Sequence, residues 1–438
     1  MTHAPLDDAR PPPEIYTRGV APVATSGPLR EGRRVNVAVI GGGLTGVSAA
    51  LHIAEAGGDV ALLEAKDIGW GASGRAFGQV VPYLKHDHTG IVARFGADRG
   101  NALIDAAAGG PDFVFGLIER HRIACDVVRT GLLFAAHAAA GRRSLEGRTR
   151  YWEARGAPVR MLDSQATQAA IGSTAYAASC LDERGGHLNP FAYVSGLARA
   201  AVRAGATVHS HSPVRAIRRD GGLWRVGTTE GELRADTIII GTNAYSDALW
   251  PGLRESVVPM RGHALVSRPL SDNARATILP GGQPMTDTRH LFSGVRVLAD
   301  GSLHASGDGP AFGAESDAFR RKTAARIALL FPVLGKPEWR ETWSGWVAMT
   351  RDQFPHYHEL APGAFAALGY SGRGLAAASL AGRDLAALAG GHGRDGLTFP
   401  LSPLRAIPAH AFAPGLLAGL VWWYRVRNAM AERHRFGP

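Results

Sequence analysis

The sequence predicts a mixed α/β fold, and three observations point to it. A β-branched run at 35–40, VNVAVI, is typical of a buried parallel strand and leads into the glycine-rich turn GGGLTG, a helix and a second strand at 60–64. A later stretch at 364–389 repeats the order of strand, glycine-rich turn and Ala-rich helix. Short strands separated by turn signals fill 257–310.

The remaining segments are assigned in chain order. Residues 1–34, with three consecutive prolines, should form a largely irregular arm, and 98–157 should be helical with one strand at 131–135. Asn189 and Pro190 open a helix that runs to Ala204. A three-stranded antiparallel meander follows, then a buried parallel strand at 237–240 and a helix at 315–331.

Composition narrows the class of protein. The net charge of +10 comes almost entirely from arginines, which are scattered and lack interleaved aromatics, so a nucleic-acid surface is not predicted. A positive field would suit anionic substrates or acidic lipid headgroups. Cys125 and Cys180 form neither a disulfide framework nor a metal-ligand spacing, which indicates a reducing compartment, and the cytoplasm is expected.

The chain ends suggest neither a signal peptide nor a spanning helix. The first residues, MTHAPLDDARPPPE, lack an apolar run, and no stretch reaches the roughly 18 apolar residues that a membrane span needs. The tail at 408–438 contains LLAGLVWWYRVRNAMAERHR, which predicts an amphipathic helix with a basic end. This helix either packs on the body of the protein or makes peripheral contact with a membrane.

The opening glycine turn predicts a phosphate-binding site. Gly41, Gly43 and Gly46 match the G-x-G-x-x-G pattern between a strand and a helix, and Glu64 ends the next strand. Gly41 permits the tight turn, Gly43 lets a pyrophosphate approach the backbone, and Gly46 lets helix and strand pack closely. The helix N-terminus offers free N–H groups to phosphates, and Glu64 can accept hydrogen bonds from a ribose diol.

Two further glycine-rich loops favour FAD over NAD. They are GWGASGRAFGQV at 69–80 and GYSGRG at 369–374. Each would bring backbone N–H groups to a flat polar ring or a phosphate, as the larger cofactor requires. An NAD-only dehydrogenase remains an alternative, and it predicts a colourless protein.

These segments resemble the D-amino-acid-oxidase-like family of FAD oxidoreductases, over about 16–424. The resemblance is carried by VAVIGGGLTGVSAALHIAEAG, LLEA, GWGASGR, GGHLNPFAYVSGLARAA, ADTIIIGTNAYSDAL and WSGWVAMTRDQFPHY...GYSGRGLAAASLAGR. It looks closest to the γ-glutamylputrescine-oxidase-like branch, whose chains also carry an N-terminal arm and a Trp-Tyr-Arg tail.

The resemblance implies an FAD-binding Rossmann-like three-layer domain interleaved with a substrate domain built on a mixed, mostly antiparallel β-sheet. The expected parts are an arm at 1–34, FAD-binding segments at 35–84, 189–258 and 341–395, substrate-domain segments at 85–188 and 259–340, and the tail at 396–438.

The resemblance also implies which residues contact the cofactor. Glu64 would meet the adenosine ribose, Val214 the adenine side, and 370–376 the polar edge of the flavin ring. The expected cofactor-binding set is Gly41, Gly43, Leu44, Thr45, Gly46, Glu64, Ala65, Ala72, Ser73, Arg75, Gly78, Gln79, Val80, Val214, Gly241, Tyr370, Ser371, Gly372, Arg373, Gly374 and Leu375.

The chain departs from the family pattern at three points. The second loop usually reads Gly-Arg-Asn followed by small residues, whereas here bulky Phe77 follows Arg75-Ala76 and could narrow the pocket. The Arg that often clamps an α-carboxylate two residues after Trp-x-Gly is replaced by Val347, which favours an amine, including one with a remote acid group. Neither cysteine lies in a segment that attaches flavin in relatives, so FAD should be non-covalent.

Candidate catalytic and substrate residues follow from the same resemblance. His304 falls where sarcosine-oxidase-type relatives place a Lys that promotes reaction with oxygen, and a cationic His could act likewise. Trp346 and Tyr370 could form an aromatic wall near the chemistry. No metal is expected, because the histidines at 356 and 358 lack a third ligand. The expected substrate residues, with Arg289 as a further candidate at the mouth, are Arg261, His263, Arg296 and Trp343.

The leading hypothesis is an FAD-dependent enzyme that oxidises the C–N bond of a primary or secondary amine by hydride transfer to flavin N5. Imine hydrolysis and flavin reoxidation by oxygen would complete the cycle. One alternative is a membrane-associated dehydrogenase that passes electrons to quinone, which the tail motivates. Another is a non-catalytic flavin-binding assembly protein, which Phe77 motivates.

Overall fold

Two eight-stranded sheets and the helices around them make up the body of the protein. The structure is a computed structural model that describes residues 8, 10–289, 291, 294–307, 309–313 and 315–433. The helices are α1 (Glu14–Thr17), α2 (Leu44–Glu55), α3 (His88–Phe95), α4 (Ala97–Ala108), α5 (Gly110–His121), α6 (Ala139–Glu153), α7 (Ser164–Ile171), α8 (Pro190–Arg203), α9 (Asp272–Thr277), α10 (Asp317–Leu330), α11 (Gly374–Ala389) and α12 (Ala413–Arg433). The strands are β1 (Arg33–Ile40), β2 (Val60–Leu63), β3 (Gln79–Val80), β4 (Leu132–Ala135), β5 (Val159–Leu162), β6 (Ser179–Asp182), β7 (Gly186–His187), β8 (Thr207–His209), β9 (Ala216–Asp220), β10 (Leu223–Gly227), β11 (Glu232–Ile240), β12 (Val258–Pro269), β13 (Met285–Asp287), β14 (Gly294–Val297), β15 (Ser302–Gly307), β16 (Trp339–Met349), β17 (His356–Ala361) and β18 (Ala364–Leu368).

The first sheet is built around parallel strands whose sequences are continuously apolar. Its order is β17-β18-β11-β1-β2-β8, with β10 and β9 joined to the edge of β11. The pairs β18-β11, β11-β1, β1-β2 and β2-β8 are parallel, and the meander β9-β10-β11 is antiparallel, as the sequence predicts. The third meander strand and the buried parallel strand are one element, because β11 runs on from Glu232 to Ile240.

Helices α2, α8 and α11 share a core with this sheet, and small residues let them approach closely. A Cβ on Gly382 of α11 would lie 2.5 Å from Ser48 Cβ of α2. Asn189 caps α8 by accepting a hydrogen bond from the Ala192 N–H at 3.1 Å. The first two turns of α2 pack against the middle of α11, around Ser379 and Gly382.

The second sheet forms a roof and confirms the predicted mixed, mostly antiparallel architecture. Its order is β16-β12-β15-β14-β13-β4-β6-β5, and only the β13-β4 pair among these is parallel. The long strands β12 and β16 pair over most of their length, so their side chains present one continuous face. The domain boundaries expected from the sequence stay a prediction.

The N-terminal arm is anchored more extensively than an irregular segment requires. Tyr16 is 1% exposed and lies in a cluster with Val266 and Trp343 of the second sheet. The Ser26 N–H donates to the Val208 carbonyl at 2.8 Å, and the Leu29 N–H donates to Ser212 Oγ at 2.9 Å. The arm is therefore built into both sheets.

The tail forms the predicted helix as far as the description extends. Helix α12 ends at Arg433, and residues 434–438 lie outside the described residues. Val421 is 6% exposed whereas Leu416 and Trp422 are 75% and 63% exposed, so one side packs on the body and the other faces outward. Within the described chain, no helix has the length and apolar character to cross a membrane.

Candidate functional site

A cavity of about 890 Å³ lies between the two sheets and joins all three glycine-rich segments. Its floor comes from the turn after β1, the loop at 69–79 and the loop at 370–375. Its roof comes from β12 and β16, and α12 closes one side through Leu417, Val421 and Tyr424. Cavities of this size hold large organic ligands.

The turn after β1 has the close approaches that a phosphate-binding turn needs. Gly41 has φ +106°, which only glycine adopts without strain. A Cβ on Gly46 would lie 2.0 Å from the Gly41 carbonyl oxygen, so glycine is required for α2 to start so close to the strand. Gly43 lines the cavity directly at the N-terminus of α2.

Glu64 occupies the position expected of the ribose-binding acid. It follows β2 at the cavity wall, and its carboxylate accepts hydrogen bonds from the Gly42 N–H at 2.6 Å and the Lys66 N–H at 2.8 Å. Burial raises the pKa of Glu64, and these backbone hydrogen bonds oppose the rise. The side chain therefore braces the glycine turn while it faces the ligand space.

The second glycine-rich loop is fastened to the first. Ser73 Oγ accepts a hydrogen bond from the Leu44 N–H at 2.9 Å, which places both loops along one edge of the cavity. Phe77 lines the cavity with its bulky ring, as the sequence suggested it could. Gln79 also lines the cavity, and its buried Nε2 lacks a hydrogen-bond partner among the described residues.

The late loop closes on the first turn through Tyr370. Its hydroxyl lies 2.6 Å from Thr45 Oγ1, and burial raises the pKa of Tyr370. Ser371 has φ +49°, which turns the chain into α11 and presents the N-terminus of that helix to the cavity. The Tyr370 hydroxyl joins two segments of the cavity floor, so Tyr370 both lines the cavity and holds its floor together.

These features fit FAD. The orphaned Gln79 Nε2 and Trp346 Nε1 are buried donors on the cavity wall, and each would find an acceptor on a polar heteroaromatic ring. Gly43 and Ser73 flank the α2 N-terminus, where a pyrophosphate would be held. Glu64 and Val214 line the far end, where an adenosine would lie.

Most of the expected cofactor residues line this cavity, with two exceptions. Gly46 lies behind Gly41, and Val80 is fully buried in the short β3-β7 ribbon. The expected residues that do line it are Gly41, Gly43, Leu44, Thr45, Glu64, Ala65, Ala72, Ser73, Arg75, Gly78, Gln79, Val214, Gly241, Tyr370, Ser371, Gly372, Arg373, Gly374 and Leu375.

The roof carries two of the expected substrate residues. Arg261 stacks over the Trp346 ring at 4.3 Å and donates to Ser344 Oγ at 2.7 Å. His263 lines the cavity, its Nε2 lies 2.7 Å from the Pro310 carbonyl oxygen, and burial lowers its pKa. Trp346 forms part of the wall, as expected for the aromatic surface.

The other expected residues lie behind the wall, and the cationic role suggested for His304 does not agree with its surroundings. His304 is fully buried, and burial followed by the charge of Arg296 lowers its pKa well below the usual range. Its Nδ1 accepts a hydrogen bond from Arg296 Nε at 3.2 Å, and its ring stacks on Trp343. A neutral imidazole outside the cavity cannot supply the positive charge.

Arg296 and Trp343 are likewise structural in position. The Arg296 guanidinium also donates to the Leu188 carbonyl at 2.9 Å and to the Tyr16 hydroxyl at 2.8 Å. The Trp343 indole N–H donates to the Arg75 carbonyl at 3.0 Å. Neither side chain reaches the ligand space.

Arg289, the further candidate for the substrate mouth, does not line the cavity, and its guanidinium pairs with the buried carboxylate of Asp287. No group of three or more His, Cys, Asp or Glu side chains that could hold a metal occurs among the described residues.

Sequence reasoning missed a buried acid in the arm and a lysine on the cavity wall. Asp8 is 3% exposed, its carboxylate accepts from the Tyr245 hydroxyl at 2.6 Å, and it pairs with Arg75 at 3.2 Å and Arg261 at 3.3 Å. Lys85 lines the cavity. Lysine is rare in this Arg-rich chain, and that rarity is the sequence feature that could have drawn attention to Lys85. Asp8 gave no signal, because its partners are distant in sequence.

Comparison with known proteins agrees with this geometry. The DAO family, described as FAD dependent oxidoreductase, matches residues 36–388. Gamma-glutamylputrescine oxidoreductase of Escherichia coli K12 is 32% identical over 363 residues, which cover 82% of this chain and 84% of that protein. Glycine oxidase of Geobacillus kaustophilus is 26% identical over 360 residues, covering 80% of this chain and 91% of that protein.

The fold agrees as well. The crystal structure of that glycine oxidase superposes with a TM-score of 0.71 at 24% identity, covering 85% of this chain and 98% of the other. The cavity, the three glycine-rich segments and the family match lead to one conclusion: the chain belongs to the DAO family of FAD-dependent oxidoreductases and is an FAD-binding enzyme.

Proposed function

We propose that this enzyme oxidises the C–N bond of a primary or secondary amine that binds beneath the β12–β16 roof. The observation that carries the proposal is the continuity of the cavity from the FAD-binding floor to Arg261, His263 and Trp346. Two of its relatives are named gamma-glutamylputrescine oxidoreductase and glycine oxidase, and both names support an amine substrate. FAD, held non-covalently, would supply the redox chemistry by taking a hydride at N5 and passing the electrons to oxygen.

The chain's own residues position and desolvate the amine. Trp346 and Met260 give the roof an apolar surface, which favours the neutral form of an amine over the ammonium. The neutral amine is the form that can release a hydride from the adjacent carbon. The resulting imine would then be hydrolysed by water to a carbonyl compound and an amine.

His263 is a candidate for proton exchange at the roof. Its Nδ1 is buried without a partner among the described residues, and burial lowers its pKa, which favours the neutral imidazole. Since Nε2 lies 2.7 Å from the Pro310 carbonyl oxygen, we infer that Nε2 carries the hydrogen and Nδ1 is free to accept one.

The decisive experiment is the visible spectrum of the purified protein during an anaerobic amine screen. A flavin spectrum that bleaches on adding putrescine, γ-glutamylputrescine or sarcosine would support the proposal. A yellow protein that none of a broad amine panel reduces would contradict it and favour a flavin-binding assembly protein. The Phe77 ring in the cavity motivates that alternative.

A second candidate is a membrane-associated dehydrogenase that reduces quinone. It is favoured by α12, which closes the cavity with Leu417 and Val421 while Leu416 and Trp422 face outward. Peroxide yield and dye reduction should be measured with the same amine. Stoichiometric peroxide supports the oxidase form, whereas fast dye reduction without peroxide supports the dehydrogenase.

A further inference from the structure

Away from the end assigned to adenosine, two cations on the cavity wall have no acidic partner among the described residues. Lys85 follows the second glycine-rich loop, and Arg373 precedes α11. Both line the cavity, and neither side chain has a hydrogen bond or ion pair with a described residue. Arg148 lies behind them on α6, with its Nε and Nη2 buried and unpartnered among the described residues.

The other cations along the cavity have partners or lie at its far end. The Asp8 carboxylate forms direct ion pairs with both Arg75 and Arg261. Lys66 and Arg215 flank Glu64 and Val214, at the end assigned to adenosine. Lys85 and Arg373 are therefore the cavity-lining cations away from the adenosine end that have no ion pair with a described residue, and Arg373 also belongs to the set expected to contact the cofactor.

The surroundings of these two residues increase their attraction for an anion. The N-terminus of α11, a helix of sixteen residues, adds the positive end of its dipole beside Arg373. The Arg148 guanidinium stacks over the Tyr83 and Phe134 rings at 4.6 Å and 4.2 Å. Because these neighbours are aromatic rings and not carboxylates, its positive charge adds to that of Arg373. Lys85 keeps contact with solvent through the cavity, although protein surrounds it closely.

The pKa directions agree with mutual repulsion in the absence of an anion. Removal of water by the surrounding protein, and then the charge of Arg373, lower the pKa of Lys85 to about 8. Burial, and then the charge of Arg148, lower the pKa of Arg373 to about 10. A bound anion would relieve both effects.

We propose that Lys85 and Arg373 form a subsite for a carboxylate on the substrate, at a distance from the carbon that is oxidised. The substrate class is then an amine that also carries an acid group. This inference rests on the proposed function. It also supplies the anion contact that Val347, in place of an arginine clamp, leaves out.

The direct test is ligand binding to the FAD-loaded enzyme without turnover. Glutarate should perturb the flavin spectrum of the unmodified protein, and glutaramide, its neutral isostere, should bind far more weakly. Lys85→Gln and Arg373→Gln should each weaken glutarate binding about 10- to 100-fold, as expected for the loss of one charge-assisted contact. Lys336→Gln, an exposed lysine outside the cavity, is the matched control.

Turnover gives an independent readout. The ratio of kcat/KM for γ-glutamylputrescine to that for N-acetylputrescine, which lacks the carboxylate, should fall about 10- to 100-fold in Lys85→Gln. Lys85→Arg should restore most of the ratio. If Arg373→Gln does not fold, the Lys85 variants alone decide.

The outcomes separate this inference from the proposed function. Glutarate binding that depends on Lys85, in an enzyme that no amine reduces, would keep the subsite and reject the amine oxidation. Unchanged glutarate affinity and an unchanged substrate ratio in Lys85→Gln would overturn the subsite. So would a variant whose FAD affinity falls while its discrimination for the carboxylate persists, because the cations would then serve the cofactor.

Discussion

At the scale of single residues, charge compensation distinguishes the parts of the cavity. Asp8 forms ion pairs with Arg75 of the second loop and Arg261 of the roof, whereas Lys85 and Arg373 have no ion pair with a described residue. Glu64 is a half-buried acid that is held in place by two backbone N–H groups that donate to it. The unpaired cations therefore mark where the wall can accept an anionic ligand group, and Glu64 marks where it can accept a hydrogen-bond donor.

Replacing Glu64 should weaken FAD binding. Glu64→Ala removes both the ribose acceptor and the brace on the Gly42 N–H, so we expect the Kd for FAD to rise at least about tenfold. Glu64→Gln keeps one acceptor and should have a smaller effect. The Kd can be measured by the change in flavin fluorescence on reconstitution, with Glu153→Gln, at an exposed position of α6, as the control. Equal affinity in Glu64→Ala would refute the assignment.

Binding of a dicarboxylate should depend on pH through Lys85. The lysine is cationic below its lowered pKa of about 8, so glutarate affinity should be constant at lower pH and fall as pH rises through about 8. Arg373 faces the same space, and its lowered pKa of about 10 keeps it charged over this range. Flavin difference titrations from pH 6 to 9 would show the fall. Persistence of that fall in Lys85→Gln would exclude Lys85 as its origin.

At the scale of elements, loops and the ends of helices form most of the cavity floor. The turn after β1, the loop at 69–79 and the loop at 370–375 meet because α2 and α11 pack side by side through small residues. Helix α12 then closes the side of the cavity, and its position is set by packing of Leu417 and Val421 and by the hydrogen bond that Arg425 donates to the Gly309 carbonyl at 2.8 Å.

The inner and outer faces of α12 should respond differently to the same substitution. Val421→Asp places an unpaired carboxylate in a buried contact, so the helix should undock, KM for the amine should rise, and limited proteolysis should remove the tail. Leu416→Asp changes a side chain that is 75% exposed, and it should behave like the unmodified enzyme. Identical proteolysis of both variants would show that α12 does not close the cavity.

At the scale of the whole molecule, the arm links the two sheets around the cavity. Asp8 contacts the second glycine-rich loop through Arg75 and the roof through Arg261, and Tyr16 is buried against the second sheet. These contacts join residues that are far apart in sequence. The arm therefore contributes to the relative placement of floor and roof.

Removing the Asp8 carboxylate should cost stability. Asp8→Ala leaves the largely buried Arg75 and Arg261 without their counter-ion, and we expect the free energy of unfolding to fall by about 3–5 kcal/mol. Glu230→Ala, which removes an exposed ion pair with Arg30, should change it by less than about 1 kcal/mol. Denaturant unfolding followed by circular dichroism measures both. Similar losses in the two variants would contradict a structural role for Asp8.

The sequence by itself determined the fold class, the family, the cofactor and most of the cavity floor. These depend on local requirements: positive φ at Gly41, close packing at Gly46, and apolar runs that can only be buried strands. Each requirement is satisfied by neighbours in the chain, so it leaves a pattern that can be recognised.

Only the tertiary structure decided which side chains face the ligand space. His304 and Arg296 lie on predicted strands, yet the pairing of β14 with β15 turns them toward Tyr16 and away from the cavity. Asp8 and Lys85 enter the site through contacts with residues distant in sequence. Burial and charge pairing depend on these long-range contacts, and no local pattern of residues encodes them.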